Sequence, residues 1–90
     1  MKIVYEMENN RTAAYDGENL IGECSYREIE GGWEANHTYV DPKYRGQRIA
    51  SKLLELLVEE ARKQDKRIRP VCSYVVKEFE NNPNYSEISY

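Results

Sequence analysis

Ninety residues allow one domain, spanning 1–90, and leave no room for a second; a chain this short buries only roughly 60–65% of the surface it exposes when unfolded, so its core is small. Hydrophobic residues make up 40% of the chain, eight tyrosines among them, which excludes a disordered chain, and no apolar run approaches the ~18–20 residues that span a bilayer. The net charge of −3 is unevenly spread: residues 1–40 carry eight acids and three bases, residues 41–90 eight acids and ten bases, which directs the search for an anion site to the second half.

In chain order, residues 2–7 alternate Ile3, Tyr5 and Met7 with Val4 and Glu6 and read as a strand. Asn9-Asn10 signals a turn, residues 11–15 a second short strand, and Asp16-Gly17 a hairpin. Residues 19–29 alternate again and predict a long third strand. Gly31-Gly32 turns the chain into a fourth strand over 33–40. Tight connections make these four an antiparallel meander. Pro42 then stops strand pairing. From about Gln47 to Lys63, Ile49, Ala50, Leu53, Leu54, Leu57 and Ala61 follow helical spacing, with Glu55, Glu59 and Glu60 on the other face. The β-prone Val71, Tyr74, Val75 and Val76 predict a fifth strand over 67–76, followed by a short helix broken near Asn82-Pro83-Asn84. The fold class is therefore α+β: a mixed sheet of about five strands, a meander followed by a β-α-β crossover with one long helix, and a short C-terminal helix. A right-handed crossover makes strands four and five parallel, and ligands of such units bind at the carboxyl ends of the strands.

Lys43, Arg45, Arg48 and Lys52 surround the expected start of the long helix, with no acid between Asp41 and Glu55. The helix dipole disfavours cations there by ~0.3–1 kcal/mol each. An anionic ligand reverses the sign, because free N–H groups reinforced by arginines form a phosphate site. Gly46 allows close approach of the backbone to such a ligand. On charge alone, solvated side chains explain the cluster equally well.

The order of residues tips the balance. Arg45-Gly46-Gln47-Arg48-Ile49-Ala50 opens an amphipathic helix directly after a strand and an Asp-Pro loop. This resembles the acyl-CoA signature of the GNAT superfamily of N-acetyltransferases, with Arg45 in the first position and Ala50 in the last. The departure is Arg48, where the family usually has glycine. His37-Thr38 before the loop and Cys72-Ser73-Tyr74 after the helix extend the likeness to the very small, stand-alone members of that superfamily, over roughly residues 19–85.

The resemblance implies acetyl-CoA as cofactor, with its pyrophosphate held by Arg45, Gly46, Gln47, Arg48, Ile49 and Ala50, and its pantetheine arm beside Tyr39 and Val40. It implies transfer of the acetyl group to a small-molecule or peptide amine, for which the acidic first half suggests a cationic one. His37 is the candidate general base, since imidazole changes charge near neutral pH. Cys72 could accept the acetyl group, protonate the departing coenzyme A thiolate, or fill an apolar site. Cys24 reads as core. Tyr74 and Tyr85 are further proton-donor candidates. A non-catalytic acyl-CoA-binding module is the alternative reading. No metal site is expected, since one histidine and two distant cysteines make no ligand set. Neither a nucleic acid nor a membrane is expected as partner, the oligomeric state is open, and a soluble, cytoplasmic protein is the expectation.

Overall fold

The computed structural model describes residues 1–90. Five strands form one sheet in sequence order: β1 (Lys2–Glu6), β2 (Arg11–Asp16), β3 (Asn19–Ile29), β4 (Gly32–Val40) and β5 (Arg67–Pro70). The first four pair antiparallel, and β5 lies parallel to β4, with Gly32 opposite Arg67 and Ala35 opposite Pro70. Helix α1 (Ile49–Lys63) makes the crossover, and α2 (Ser73–Asn81) follows β5.

The core lies between one face of the sheet and the helices. Helix α1 buries Ile49, Leu53, Leu54, Leu57, Val58 and Ala61 against it, each large side chain contributing roughly 1.5–3 kcal/mol relative to exposure. Trp33 is fully buried and stacks on Tyr26 with ring centroids 4.1 Å apart. Thr12 donates from Oγ1 to the Leu53 carbonyl at 2.9 Å, tying the sheet to the helix. Gly22 explains how close the layers come. A Cβ there would lie 3.1 Å from the Tyr39 carbonyl oxygen and 3.3–3.4 Å from Leu53 and Ile49 side-chain atoms.

The fifth strand is shorter than expected. It ends at Pro70, and the segment that β-propensity assigned to it is the start of α2. Val71 and Cys72 both donate to the Ala35 carbonyl, at 3.1 and 3.0 Å, so the ladder closes on one acceptor. Beyond it the pattern is helical, with Val75 buried and Phe79 partly buried one turn later. Burial of that face overrides the local preference for strand. Helix α1 likewise starts two residues later than expected, because Arg48 takes a left-handed backbone at φ 60°.

Strand β4 is therefore paired on both sides as far as Ala35 and on one side only from His37 to Val40. It also carries a bulge. Ser25 faces His37 while Tyr26 faces Ala35, leaving Asn36 without a partner on β3.

Candidate active site

The open half of β4 and the start of α1 together form the site. Asp41 accepts from Lys43 N–H at 2.9 Å and Tyr44 Oη donates to Asp16 at 2.5 Å, which fixes the connecting loop on the β2–β3 hairpin. Gly46 follows at φ 86° and Arg48 at φ 60°. The first backbone bond of the helix runs from Lys52 N–H to the Arg48 carbonyl. Consequently none of the N–H groups from Gly46 to Ser51 donates to a backbone carbonyl, and no side chain caps the helix. Six unspent donors lie at or beside the positive end of the helix dipole.

The cations around them are equally unspent. Arg11, Arg27, Arg62 and Arg69 sit in ion pairs, and Arg67 donates to two C-terminal carbonyls. Lys43, Arg45, Arg48 and Lys52 have no carboxylate within salt-bridge distance. A cavity of about 390 Å³ opens here, lined by Val40, Tyr44, Arg45, Gly46, Arg48, Ile49, Ala50, Ser51 and Tyr74. Ala50, expected on the apolar stripe of the helix, lines this cavity as well. Two larger hollows, about 540 and 470 Å³, lie around Arg62 and Glu87 at the other end of α1, where Arg62 and Arg67 are already bonded to Glu87 and to backbone carbonyls and Lys66 alone has no such partner. Chemistry, not size, selects the smaller one.

The bulge sorts the remaining candidates between the two faces of the sheet. Thr38 pairs with Cys24 and shares its helix-side face, whereas His37 and Tyr39 sit opposite Ser25 and Glu23 on the other face. His37 is 57% exposed, with Nε2 3.8 Å from a Glu23 carboxylate oxygen whose partner oxygen accepts from Arg11 at 3.0 Å. Glu23 is thus already engaged, and Glu28 lies well away at the Trp33 end of the β3–β4 pair. Tyr39 and Gln47 do not line the cavity, although Tyr39 is exposed on the open half of β4.

Cys72 stands at the start of α2, half-buried, with Sγ 3.6 Å from Thr38 Oγ1. Burial pushes its thiol up, but the Thr38 hydroxyl and the N–H groups of Val75, Tyr74 and Thr38 outweigh burial and hold it below the usual thiol range. No N–H of the α2 first turn makes a full hydrogen bond to the neutral sulfur; the influence is on the thiolate. Tyr74 lines the cavity, and burial pushes its phenol up to about 12. Tyr85 is buried against Phe79, ring centroids 5.2 Å apart, and is a core residue. Cys24 lies in the core, as the sequence leads one to expect, and what sequence reasoning left out is its approach to Thr38. Their grouping with Cys72 joins three separate elements and leaves no local signal.

A family model described as GCN5-related N-acetyl-transferase matches residues 5–88. The chain belongs to this family of N-acetyltransferases. Among solved structures, a GCN5-like candidate N-acetyltransferase from Staphylococcus aureus superposes with a TM-score of 0.77 at 26% identity, covering 99% of this chain and 87% of that one. A candidate acyl-CoA N-acyltransferase from Klebsiella pneumoniae gives 0.64 at 25% identity over 80% of this chain. A ribosomal-protein-alanine N-acetyltransferase from Brucella melitensis gives 0.58 at 21% identity over 89%, a likeness of fold. The chain spans only 55% and 62% of the lengths of these last two. No curated protein matches it. No helix is long and apolar enough to cross a membrane. Within the family, Arg48 is informative. Its left-handed backbone is the reason glycine suits that position, and an L-residue there costs roughly 1–2 kcal/mol.

Proposed function

We propose that the protein is an acetyl-CoA-dependent N-acetyltransferase acting on a small-molecule or peptide amine. The observation that carries this reading is the run of six unbonded N–H groups, Gly46 to Ser51, beside the unpaired Arg45 and Arg48. That donor set fits a pyrophosphate, which takes backbone N–H bonds and arginine forks together. Acetyl-CoA supplies the activated acetyl group. Val40, Ile49, Ala50 and Tyr74 offer the apolar wall along which its pantetheine arm would run.

Strand alternation turns the N–H and C=O of Thr38 and Val40 toward the side that β5 has left, since Asp41 N–H points the other way, to Ile21. An N–H at this edge is placed to hold the thioester oxygen as negative charge develops on it. His37, on the open face, takes the proton of the incoming amine, with Glu23 behind it to steady the imidazolium. A thiol that ionises more readily than usual, held beside the Thr38 hydroxyl at the start of α2, is suited to nucleophilic attack, so Cys72 is assigned as the residue whose sulfur takes the acetyl group, releasing coenzyme A thiolate, before passing it to the amine.

Calorimetric titration with acetyl-CoA, with adenosine as the control lacking phosphates, tests the reading. Saturable binding of acetyl-CoA alone is expected, weakened at least tenfold by Arg45→Glu. No binding at millimolar ligand would sink it. Binding without turnover on a broad amine panel would leave an acyl-CoA-binding module instead.

A further inference from the structure

Cys24 and Cys72 come from β3 and from the start of α2, and the hydroxyl of Thr38 on β4 lies between them. With both thiols neutral, Cys72 Sγ–H donates to Thr38 Oγ1 at 3.6 Å and Thr38 Oγ1–H donates to Cys24 Sγ at 3.7 Å. The hydroxyl has a single proton, so Thr38 donates to one sulfur at a time. When Cys72 loses its proton, the chain can reverse. Cys24 S–H then donates to Thr38, and Thr38 donates to the Cys72 sulfur.

We propose that Cys24 and Thr38 form a reversible donor chain that stabilises the Cys72 thiolate, making both of them positioning residues for the thiol at the start of α2. The functional meaning of this inference rests on the role given to Cys72 above; the chain itself does not. Reversal needs Cys24 to keep its proton while Cys72 gives one up, and burial secures that. Cys24 is wholly inaccessible, and its thiol is pushed up to about 11 by desolvation. It has no route to solvent and serves only Thr38. A packing residue in this position would need neither the hydroxyl nor the second sulfur.

The surrounding groups do not supply a simpler account. Glu23, next to Cys24 on the other face of β3, pushes the Cys24 thiol up, and Glu78 on α2 pushes up the Tyr74 phenol. Arg69 on β5 is paired with Glu34 at 3.5 Å, and α1 sends Ser51 toward Tyr74. No cation is paired with the thiol. What favours the thiolate is the hydroxyl, together with the N–H groups of Thr38, Tyr74 and Val75.

The test is the pH dependence of Cys72 alkylation by iodoacetamide on the full chain without acetyl-CoA, with the modified residue assigned by peptide mass. Thr38→Val should raise the midpoint and slow alkylation at neutral pH about tenfold, the effect expected from one hydrogen bond to a charged sulfur. Thr38→Ser should keep the wild-type profile, because it keeps the hydroxyl. Cys24→Ala should shift it in the same direction by about threefold, the second donor acting through the first. A wild-type profile in folded Thr38→Val, or an equal loss in Thr38→Ser, would overturn the proposal. Should Thr38→Val fail to fold, Cys24→Ala decides alone, and an unchanged profile there rejects the chain. Acetyl-CoA titration of the same variants separates the two readings. Loss of binding by the wild type would remove the acetyltransferase reading and leave the thiol measurement standing.

Discussion

The two ends of β4 share one strand and behave differently. At the Trp33 end β4 has β3 on one side and β5 on the other, and Trp33 and Ala35 are fully buried. At the Val40 end β5 is gone, His37 and Tyr39 are exposed, and Thr38 turns its hydroxyl to two sulfurs. The closed end spends its backbone groups on the sheet, and its side chains pack, as Trp33 and Ala35 do, or pair with neighbouring arginines, as Glu34 does. The open end leaves N–H and C=O groups unspent, and the chemistry proposed above is placed there. One short fifth strand, stopped at Pro70, makes the difference.

The sharpest way to break that comparison is to cut at the closed end. Trp33→Ala should cost about 3–5 kcal/mol in denaturant unfolding, and a stable variant would mean the closed end is not the anchor. His37→Ala at the open end should leave the unfolding midpoint in place and lower kcat about 10²–10⁴-fold. Steady-state kinetics on any accepted amine checks this, and an unfolded variant would erase the contrast.

Cys24 belongs to both ends, being buried yet facing Thr38, and its expected signature is alkaline. Its thiol ionises near 9.0 when unfolded and is pushed up to about 11 by burial when folded. Raising the pH through that window ionises the unfolded chain first. Stability present below pH 9 should therefore fall by up to about 2–3 kcal/mol toward pH 11. The slope of unfolding free energy against pH should flatten in Cys24→Ala. The smallest effect is at Arg48. Arg48→Gly relieves the left-handed backbone and should add about 1 kcal/mol of stability, read as a thermal midpoint some ~4–8 °C higher. Acetyl-CoA should bind it a few-fold more weakly, since one guanidinium leaves the cavity.

Much of this arrangement is legible in the residues. Helical spacing marks α1, alternation and Gly or Asp turns mark the meander, and cations at the wrong end of a helix mark the cavity at Arg45, Gly46, Arg48, Ile49 and Ala50. What escapes has physical reasons. Val75 and Val76 favour strand locally, but the buried face of α2 decides their conformation. The placement of Tyr39 and Gln47 outside the cavity depends on side-chain direction, which spacing alone does not give. Cys24, Thr38 and Cys72 meet only after three separate elements assemble.

Asn36 carries no chemistry, yet it governs where the chemistry goes. By simple alternation from Trp33 and Ala35, His37 would turn inward under the helices and Thr38 outward, away from both sulfurs. The unpaired Asn36 adds one step and exchanges them. The site is thus set by a count as much as by identities. Deleting Asn36 would leave Ala35 opposite Tyr26, His37 opposite Ser25 and Thr38 opposite Cys24, a regular ladder with both side chains on their present faces. Drawing Asn36 into the ladder opposite Ser25 would instead bring His37 opposite Cys24 and Thr38 opposite Glu23, which transposes imidazole and hydroxyl. The arrangement therefore depends on Asn36 staying out of register, and a slip of one residue is enough to invert it.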